Sequence, residues 1–145
     1  MFIKYQNMAA RDLYHQEVRE ALEKEGWKIT HDPLNLKYGD DRVFIDLGAE
    51  QVLGAEKEGI KIAVEIKSLD KPSPIYTFHE ILGQYEVYEL ILAKVEPNRI
   101  LYLALPEEDF NRFFKRPLGE LIISEKNIRF ILFDSQEKIL TQWIK

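Results

Sequence analysis

The chain has 145 residues, of which 46% are hydrophobic, so it is long enough to fold as one domain around a substantial core. It has no cysteine, no apolar core of a signal peptide and no apolar run of about twenty residues, so we expect a cytoplasmic protein without disulfides, thiolate metal sites or a membrane segment. The formal net charge of −5 argues against broad electrostatic binding to nucleic acid, although a local basic rim around an acidic metal site remains compatible with it.

The sequence has no repeats, low-complexity tracts or internal linkers that would divide it. We expect residues 1–8 to be a short leader, with Met8 as an alternative start because a strong helix pattern follows it directly. Residues 9–145 are then predicted to form a single domain.

The first predicted element is an amphipathic helix from Ala9 to Glu25, which is rich in helix formers and ends at Gly26. Its apolar stripe follows three- and four-residue spacing and consists of Tyr14, Val18, Ala21 and Leu22. Glu17 lies beside this stripe. Most glutamates in such a place are boundary residues, and a minority point into a site.

Short strands are predicted next. Trp27–His31 alternates as a first strand, and a hairpin turn at Gly39-Asp40-Asp41 leads into a strand at Val43–Leu47. The segment Gly48–Ala55 has no clear pattern, and Lys61–Lys67 is the next strand.

The predicted strands Val43–Leu47 and Lys61–Lys67 carry charged residues within apolar runs. Because side chains alternate along a strand, Asp46 is predicted to lie opposite Val43, Ile45 and Leu47. By the same alternation, Glu65 and Lys67 share one face with Ala63, opposite an apolar face made by Ile62, Val64 and Ile66. Two carboxylates and an ammonium on adjacent strands form a compensated cluster that can hold a divalent metal. The alternative is that Asp46 only ends a strand and that Glu65 and Lys67 lie on the solvated face of an edge strand.

The sequence of the second half of the chain predicts a long helix and further sheet strands. Pro72, Ser73 and Pro74 precede a helix from about Ile75 to Ala93, whose buried side is predicted to contain Ile75, Phe78, Leu82, Tyr85 and Leu92. Gln84 lies on the neighbouring stripe, within reach of the cluster, although a surface glutamine is the ordinary interpretation. A strand at Ile100–Leu105, a helix at Glu107–Lys115, a small apolar element and two closing strands follow. This order predicts an α/β fold with a mixed central sheet flanked by helices.

The chemistry that suits this cluster is phosphodiester hydrolysis. Asp46, Glu65 and the backbone carbonyl of Ile66 are oxygen ligands of the kind that Mg²⁺ or Mn²⁺ prefers. A metal held there would activate water and neutralise charge on a phosphate, while Lys67 would orient or deprotonate the attacking water.

The set Asp46 and Glu65-Ile66-Lys67, between two helices, resembles the PD-(D/E)xK nucleases, which have a restriction-endonuclease-like core. The proline of that motif is absent, because Ile45 precedes Asp46. The resemblance implies that Asp46, Glu65 and Lys67 are catalytic. It also implies that Glu17 matches an acidic residue often contributed by the first helix, and that Gln84 matches a glutamine that some branches carry.

Longer stretches resemble the XisH family, the fdxN element excision controlling factors of cyanobacteria. The stretches are MAARDLYHQEVREALEKEGWKITHDPL, KYGDDRVFIDLGAE, GAEKEGIKIAVEIKS, LGQYEVYE and the closing Gln142-Trp143. The resemblance implies a role in programmed excision of a DNA element during heterocyst differentiation, with a site-specific recombinase and a companion protein, XisI, as partners. Nucleases of the wider superfamily are commonly homodimers, so a homodimer is expected by analogy.

Two functions therefore stand as hypotheses at this point. The first is a Mg²⁺- or Mn²⁺-dependent DNA endonuclease that uses Asp46, Glu65 and Lys67. The second is a non-catalytic accessory factor that binds DNA or XisI and regulates a recombinase, which agrees with the acidic net charge. A purely structural domain with buried ion pairs is a third interpretation, disfavoured because buried acids without a ligand are costly.

Overall fold

The structure is a computed structural model that describes residues 14–51, 59–69 and 73–145. The predicted leader and the start of the predicted first helix lie outside these residues. The helices of the described chain are α1 (residues 14–24), α2 (Pro74–Val95), α3 (Glu107–Phe114) and α4 (Pro117–Lys126). The strands are β1 (Lys28–His31), β2 (Leu34–Tyr38), β3 (Asp41–Ile45), β4 (Leu47–Gln51), β5 (Ile60–Ile66), β6 (Arg99–Pro106), β7 (Phe130–Asp134) and β8 (Ile139–Ile144).

Six of these strands form one mixed sheet in the order β1-β4-β5-β6-β7-β8, and β2 and β3 form a separate antiparallel hairpin. The three central strands, β5, β6 and β7, run parallel, and the outer pairs are antiparallel. Parallel neighbours need a crossover connection. Here α2 connects β5 to β6, and α3 with α4 connects β6 to β7. The predicted α/β fold with a mixed central sheet flanked by helices is therefore confirmed.

The sheet separates two apolar layers because its central strands are buried on both faces. One layer combines α2, α3 and the hairpin with inward residues such as Ala63, Leu103 and Leu132. The other layer packs α1 and Trp27 against Val64 and other residues of the opposite face. The predicted alternation of β5 is confirmed, since Ala63 belongs to the first layer while Ile62, Val64 and Ile66 belong to the second.

The predicted strand Val43–Leu47 is interrupted at Asp46, which lies between the end of β3 and the start of β4. Ile45 packs in the layer of α2, whereas Leu47 packs in the layer of α1. The prediction that Ile45 and Leu47 share a face is therefore wrong. The chain changes from the hairpin to the central sheet at Asp46, so strict alternation does not continue across it.

Two further sequence expectations differ from the structure. The start of the patternless segment is a strand, β4, in which Gly48 is packed so closely that an added Cβ would lie 3.1 Å from the His31 side chain and 3.2 Å from Arg99 Nη1. Ile75, expected on the buried side of α2, is 46% exposed because it lies at the edge of that side in the first turn.

Among the described helices, none has the length and apolar character required to cross a membrane.

Candidate active site

Asp46 and Glu65 form a buried pair at the junction of the hairpin and the central sheet. The register that pairs Leu47 of β4 with Val64 of β5 brings the two acids side by side. The Ile66 N–H donates to Asp46 Oδ2 at 2.8 Å, and the Asp46 N–H donates to Glu65 Oε1 at 3.3 Å. Each acid is 3% exposed. The main chain beside each acid thus holds the carboxylate of the other, which fixes both side chains.

The pair carries more negative charge than its buried surroundings favour. Burial is the largest influence on Glu65 and, together with the negative charge of Asp46, raises its pKa from 4.5 to about 7. The Lys67 ammonium, whose Nζ lies 3.4 Å from Glu65 Oε2, opposes this rise in pKa. Glu65 therefore takes up a proton near neutral pH more readily than an exposed glutamate does.

This excess charge is the feature that a divalent metal would relieve. Mg²⁺ is commonly bound by one or two carboxylates and several waters, which matches Asp46 and Glu65. Within residues 14–51, 59–69 and 73–145, no group of three or more histidine, aspartate or glutamate side chains is gathered to hold a metal. The donor set therefore fits a hydrated hard cation and not an ion enclosed by protein ligands. The structure places Ile66 at the end of β5, next to Glu65, and its carbonyl stays a predicted ligand.

Lys67 directly follows β5, and its N–H donates to the Ala104 carbonyl of β6 at 2.9 Å. Its side chain is 18% exposed, so it joins the buried pair to the surface. A small cavity of about 30 Å³ adjoins it, lined by Lys67, Ser68, Leu69, Thr77, Glu80 and Ile81. That volume corresponds to about one water molecule. The structure thus brings together three of the predicted residues, Asp46, Glu65 and Lys67.

Glu17 lies on α1, in the layer opposite to the face that Ala63 and Glu65 share along β5. It is 6% exposed, and burial raises its pKa. The nearby charges that act on it are those of Lys138, which lowers the pKa, and Glu20, which raises it. Lys138 immediately precedes β8, so the structure associates Glu17 with the β7–β8 turn.

Gln84 is half-buried on α2, one turn after Glu80 and Ile81 of the cavity wall. Its Oε1 and the Oε2 of Glu17 are the two buried side-chain atoms, in the part of the chain that the structure describes, without a hydrogen-bond partner. Buried polar atoms normally have a partner, so each of these oxygens is suited to accept a bond from water or a ligand. Both belong to side chains that the sequence had singled out.

The structure adds one residue that the sequence analysis missed. His15 of α1 lies between two acids, with Nε2 2.6 Å from Asp32 Oδ1 and Nδ1 3.9 Å from Asp46 Oδ1. Arg19 Nη1 holds the other oxygen of Asp32 at 2.5 Å. Helical spacing places His15 and Arg19 on the same side of α1, but no pattern in the sequence indicated that the turn containing Asp32 would meet them.

Comparisons with known proteins agree on one family. The family model described as XisH protein matches residues 8–141. A crystal structure of an XisH family protein from Nostoc punctiforme is 38% identical with a TM-score of 0.82, and the match covers 92% of this chain and 99% of that one. A crystal structure of an fdxN element excision controlling factor protein from Anabaena variabilis is 39% identical with a TM-score of 0.81, at the same coverage of 92% and 99%. No curated protein matches the sequence. Because the family model and both structures match over nearly the whole chain, this protein belongs to the XisH family.

Proposed function

We propose that this protein is an fdxN element excision controlling factor that acts as a metal-dependent DNA endonuclease of the PD-(D/E)xK type. The observation that carries the proposal is the buried Asp46–Glu65 pair, held by main-chain N–H groups, with Lys67 between the pair and the surface. The excision role is supported by the Anabaena variabilis relative described in those words. The nuclease step is supported by the chemistry of the three side chains.

Asp46 and Glu65, with the Ile66 carbonyl, would hold Mg²⁺ or Mn²⁺. When bound, the ion would supply Lewis-acid activation of water and would neutralise negative charge on the scissile phosphate. The chain itself supplies a rigid frame, because the two reciprocal main-chain bonds fix the orientation of both carboxylates before any ligand arrives.

Lys67 would act on the phosphate and the attacking water. Its ammonium is anchored 3.4 Å from Glu65 Oε2 and is partly exposed, so it can contact a phosphate oxygen without leaving the acid pair. In the proposed step, the water oxygen forms a bond to phosphorus and the bond from phosphorus to the leaving sugar oxygen breaks. The attacking water gives a proton to solvent, and the leaving sugar oxygen takes up a proton from solvent. The unsatisfied oxygen of Gln84 is proposed to bind ordered water or substrate in support of this step, and that of Glu17, in the layer of α1, is proposed to bind ordered water.

A second function, that of a non-catalytic accessory factor, is favoured by the formal net charge of −5, which opposes binding of a DNA backbone by this protein alone. In that case the protein would act with XisI and a site-specific recombinase, and the acid pair would be a structural metal site. A homodimer is compatible with either function, since two copies would offer one site to each strand of a duplex.

The test is cleavage of plasmid, linear, branched and single-stranded DNA with Mg²⁺ or Mn²⁺, with and without XisI. Wild-type protein, Lys67→Ala and Lys61→Ala would be compared, because Lys61 is an exposed lysine on β5, the strand that Lys67 directly follows, and controls for loss of a positive charge. The nuclease proposal predicts cutting by wild type and Lys61→Ala and none by Lys67→Ala. Absence of cutting by wild type under all conditions would reject it in favour of the accessory function.

A further inference from the structure

An ion pair on α3 holds both main-chain groups of Leu69, two residues after Lys67. Asp109 Oδ2 accepts a hydrogen bond from the Leu69 N–H at 2.8 Å, and Arg112 Nη2 donates to the Leu69 carbonyl. The two side chains are joined to each other, with Arg112 Nη2 3.2 Å from Asp109 Oδ1. Leu69 itself is 4% exposed and belongs to the layer of α2 and α3. We call Asp109 and Arg112 the Leu69 clamp.

The clamp and β6 together fix the chain that carries Lys67. The Ala104 carbonyl of β6 accepts the Lys67 N–H, and α3, which begins directly after β6, provides the clamp. One continuous segment, β6–α3, therefore holds the chain at residue 67 and again at residue 69. Buried main-chain groups outside a sheet must find partners, and here charged side chains provide them.

The held segment also forms the cavity beside the site. Lys67 and Leu69 line one side of the cavity of about 30 Å³, and Thr77, Glu80 and Ile81 of α2 line the other. Movement of Leu69 would change both the direction of the Lys67 side chain and the shape of a space that fits about one water molecule. The contacts made by α3 thus act on the short segment that carries Lys67.

We propose that Asp109 and Arg112 are positioning residues for the cleavage step, which act through Leu69 to keep Lys67 beside Glu65. This inference rests on the proposed nuclease function. Neither side chain needs to touch DNA, metal or the reacting atoms. Loss of the clamp would therefore slow the chemical step while leaving binding of DNA largely unchanged.

Arg116 provides a matched control because it shares most properties of Arg112. Both guanidinium groups lie over the Phe113 ring. The distance from Cζ to the ring centroid is 4.9 Å for Arg112 and 6.0 Å for Arg116. Arg116 Nε donates to the Arg112 carbonyl and not to Leu69. Arg116→Ala removes a positive charge and a ring contact from the same region while leaving the clamp intact, so it reports any effect of charge on DNA binding.

The experiment compares kcat, KM and hydrogen exchange of the Leu69 amide in wild type, Arg112→Ala, Arg112→Lys, Asp109→Asn and Arg116→Ala. We expect Arg112→Ala to lower kcat by about 10- to 100-fold, the scale of a displacement near 1 Å, with little change in KM and faster exchange of the Leu69 amide. Arg112→Lys keeps a positively charged donor for the Leu69 carbonyl, and Asp109→Asn keeps an oxygen that can accept the Leu69 N–H. Both variants should therefore retain more activity than Arg112→Ala. Arg116→Ala should behave as wild type.

Different outcomes separate the clamp from the nuclease proposal. Equal kcat in wild type and Arg112→Ala, or equal losses in Arg112→Ala and Arg116→Ala, would overturn the positioning role while cleavage stands. If wild type cuts no DNA, the proposed function fails, and reductive methylation of Lys67 becomes the remaining test of the clamp. Faster methylation in Arg112→Ala than in Arg116→Ala would support control of Lys67 by the clamp, and equal rates would reject it.

Discussion

Glu65→Gln is expected to stabilise the metal-free protein above neutral pH. Glu65 has its pKa raised from 4.5 to about 7, mainly by burial and then by the charge of Asp46. Between pH 4.5 and about 7 the folded state therefore binds more protons than the unfolded state, and the free energy of unfolding falls as the pH rises. The glutamine keeps an oxygen that can accept the Asp46 N–H, but it carries no charge to bury.

The size of the effect follows from the two pKa values. At about 1.4 kcal/mol per pH unit, the difference between 4.5 and about 7 corresponds to about 3 kcal/mol. This loss in wild type should be small at pH 4, develop between pH 4.5 and 7, and be complete by about pH 8. The advantage of Glu65→Gln over wild type should thus grow by about 3 kcal/mol from pH 4 to pH 8.

Urea unfolding at half-unit pH intervals, in metal-free buffer with a chelator, measures this difference. Glu125→Gln is the control, because Glu125 is an exposed glutamate on α4. Its stability relative to wild type should change little between pH 6 and 8. If Glu65→Gln and wild type lost stability in parallel over pH 4.5 to 8, the electrostatic account of the acid pair would be wrong.

The other predictions concern the metal and two glycines. Mg²⁺ or Mn²⁺ should raise the unfolding temperature of wild type but not of Glu65→Gln. The affinity of wild type for the metal ion, measured by calorimetry, should fall about tenfold per pH unit below pH 7, because a proton competes for Glu65. An equal affinity at pH 6 and 8 would contradict this. Gly48→Ala should destabilise by about 1–3 kcal/mol in urea unfolding because its Cβ meets the His31 side chain at 3.1 Å. Gly83→Ala, in the open middle of α2, should instead stabilise by about 1 kcal/mol, so equal effects of the two substitutions would refute the packing argument.

Local patterns in the sequence were sufficient to predict most helices and strands. The stripe of α1, the turn at Gly39, and the apolar run of β6 each depend on residues close in sequence, and the structure confirms them. The grouping of Asp46, Glu65 and Lys67 was also predictable, because the strand that directly follows Asp46 pairs with the strand that carries Glu65 and leads into Lys67.

Tertiary packing decided what local patterns do not contain. The bend at Asp46 depends on the separation of the hairpin from the central sheet, and the contact between His15 and Asp32 depends on where α1 lies relative to the turn between β1 and β2. The hydrogen bond from the Leu69 N–H to Asp109 likewise joins residues 40 positions apart.

The sequence by itself thus determined which residue types are available and which elements carry them, since both follow from short-range spacing. The structure alone decided how deeply Glu65 is buried, how close Asp46 lies to it, and how its pKa changes as a result. Burial and charge proximity arise from contacts between segments distant in the chain, whose geometry only the packed fold specifies.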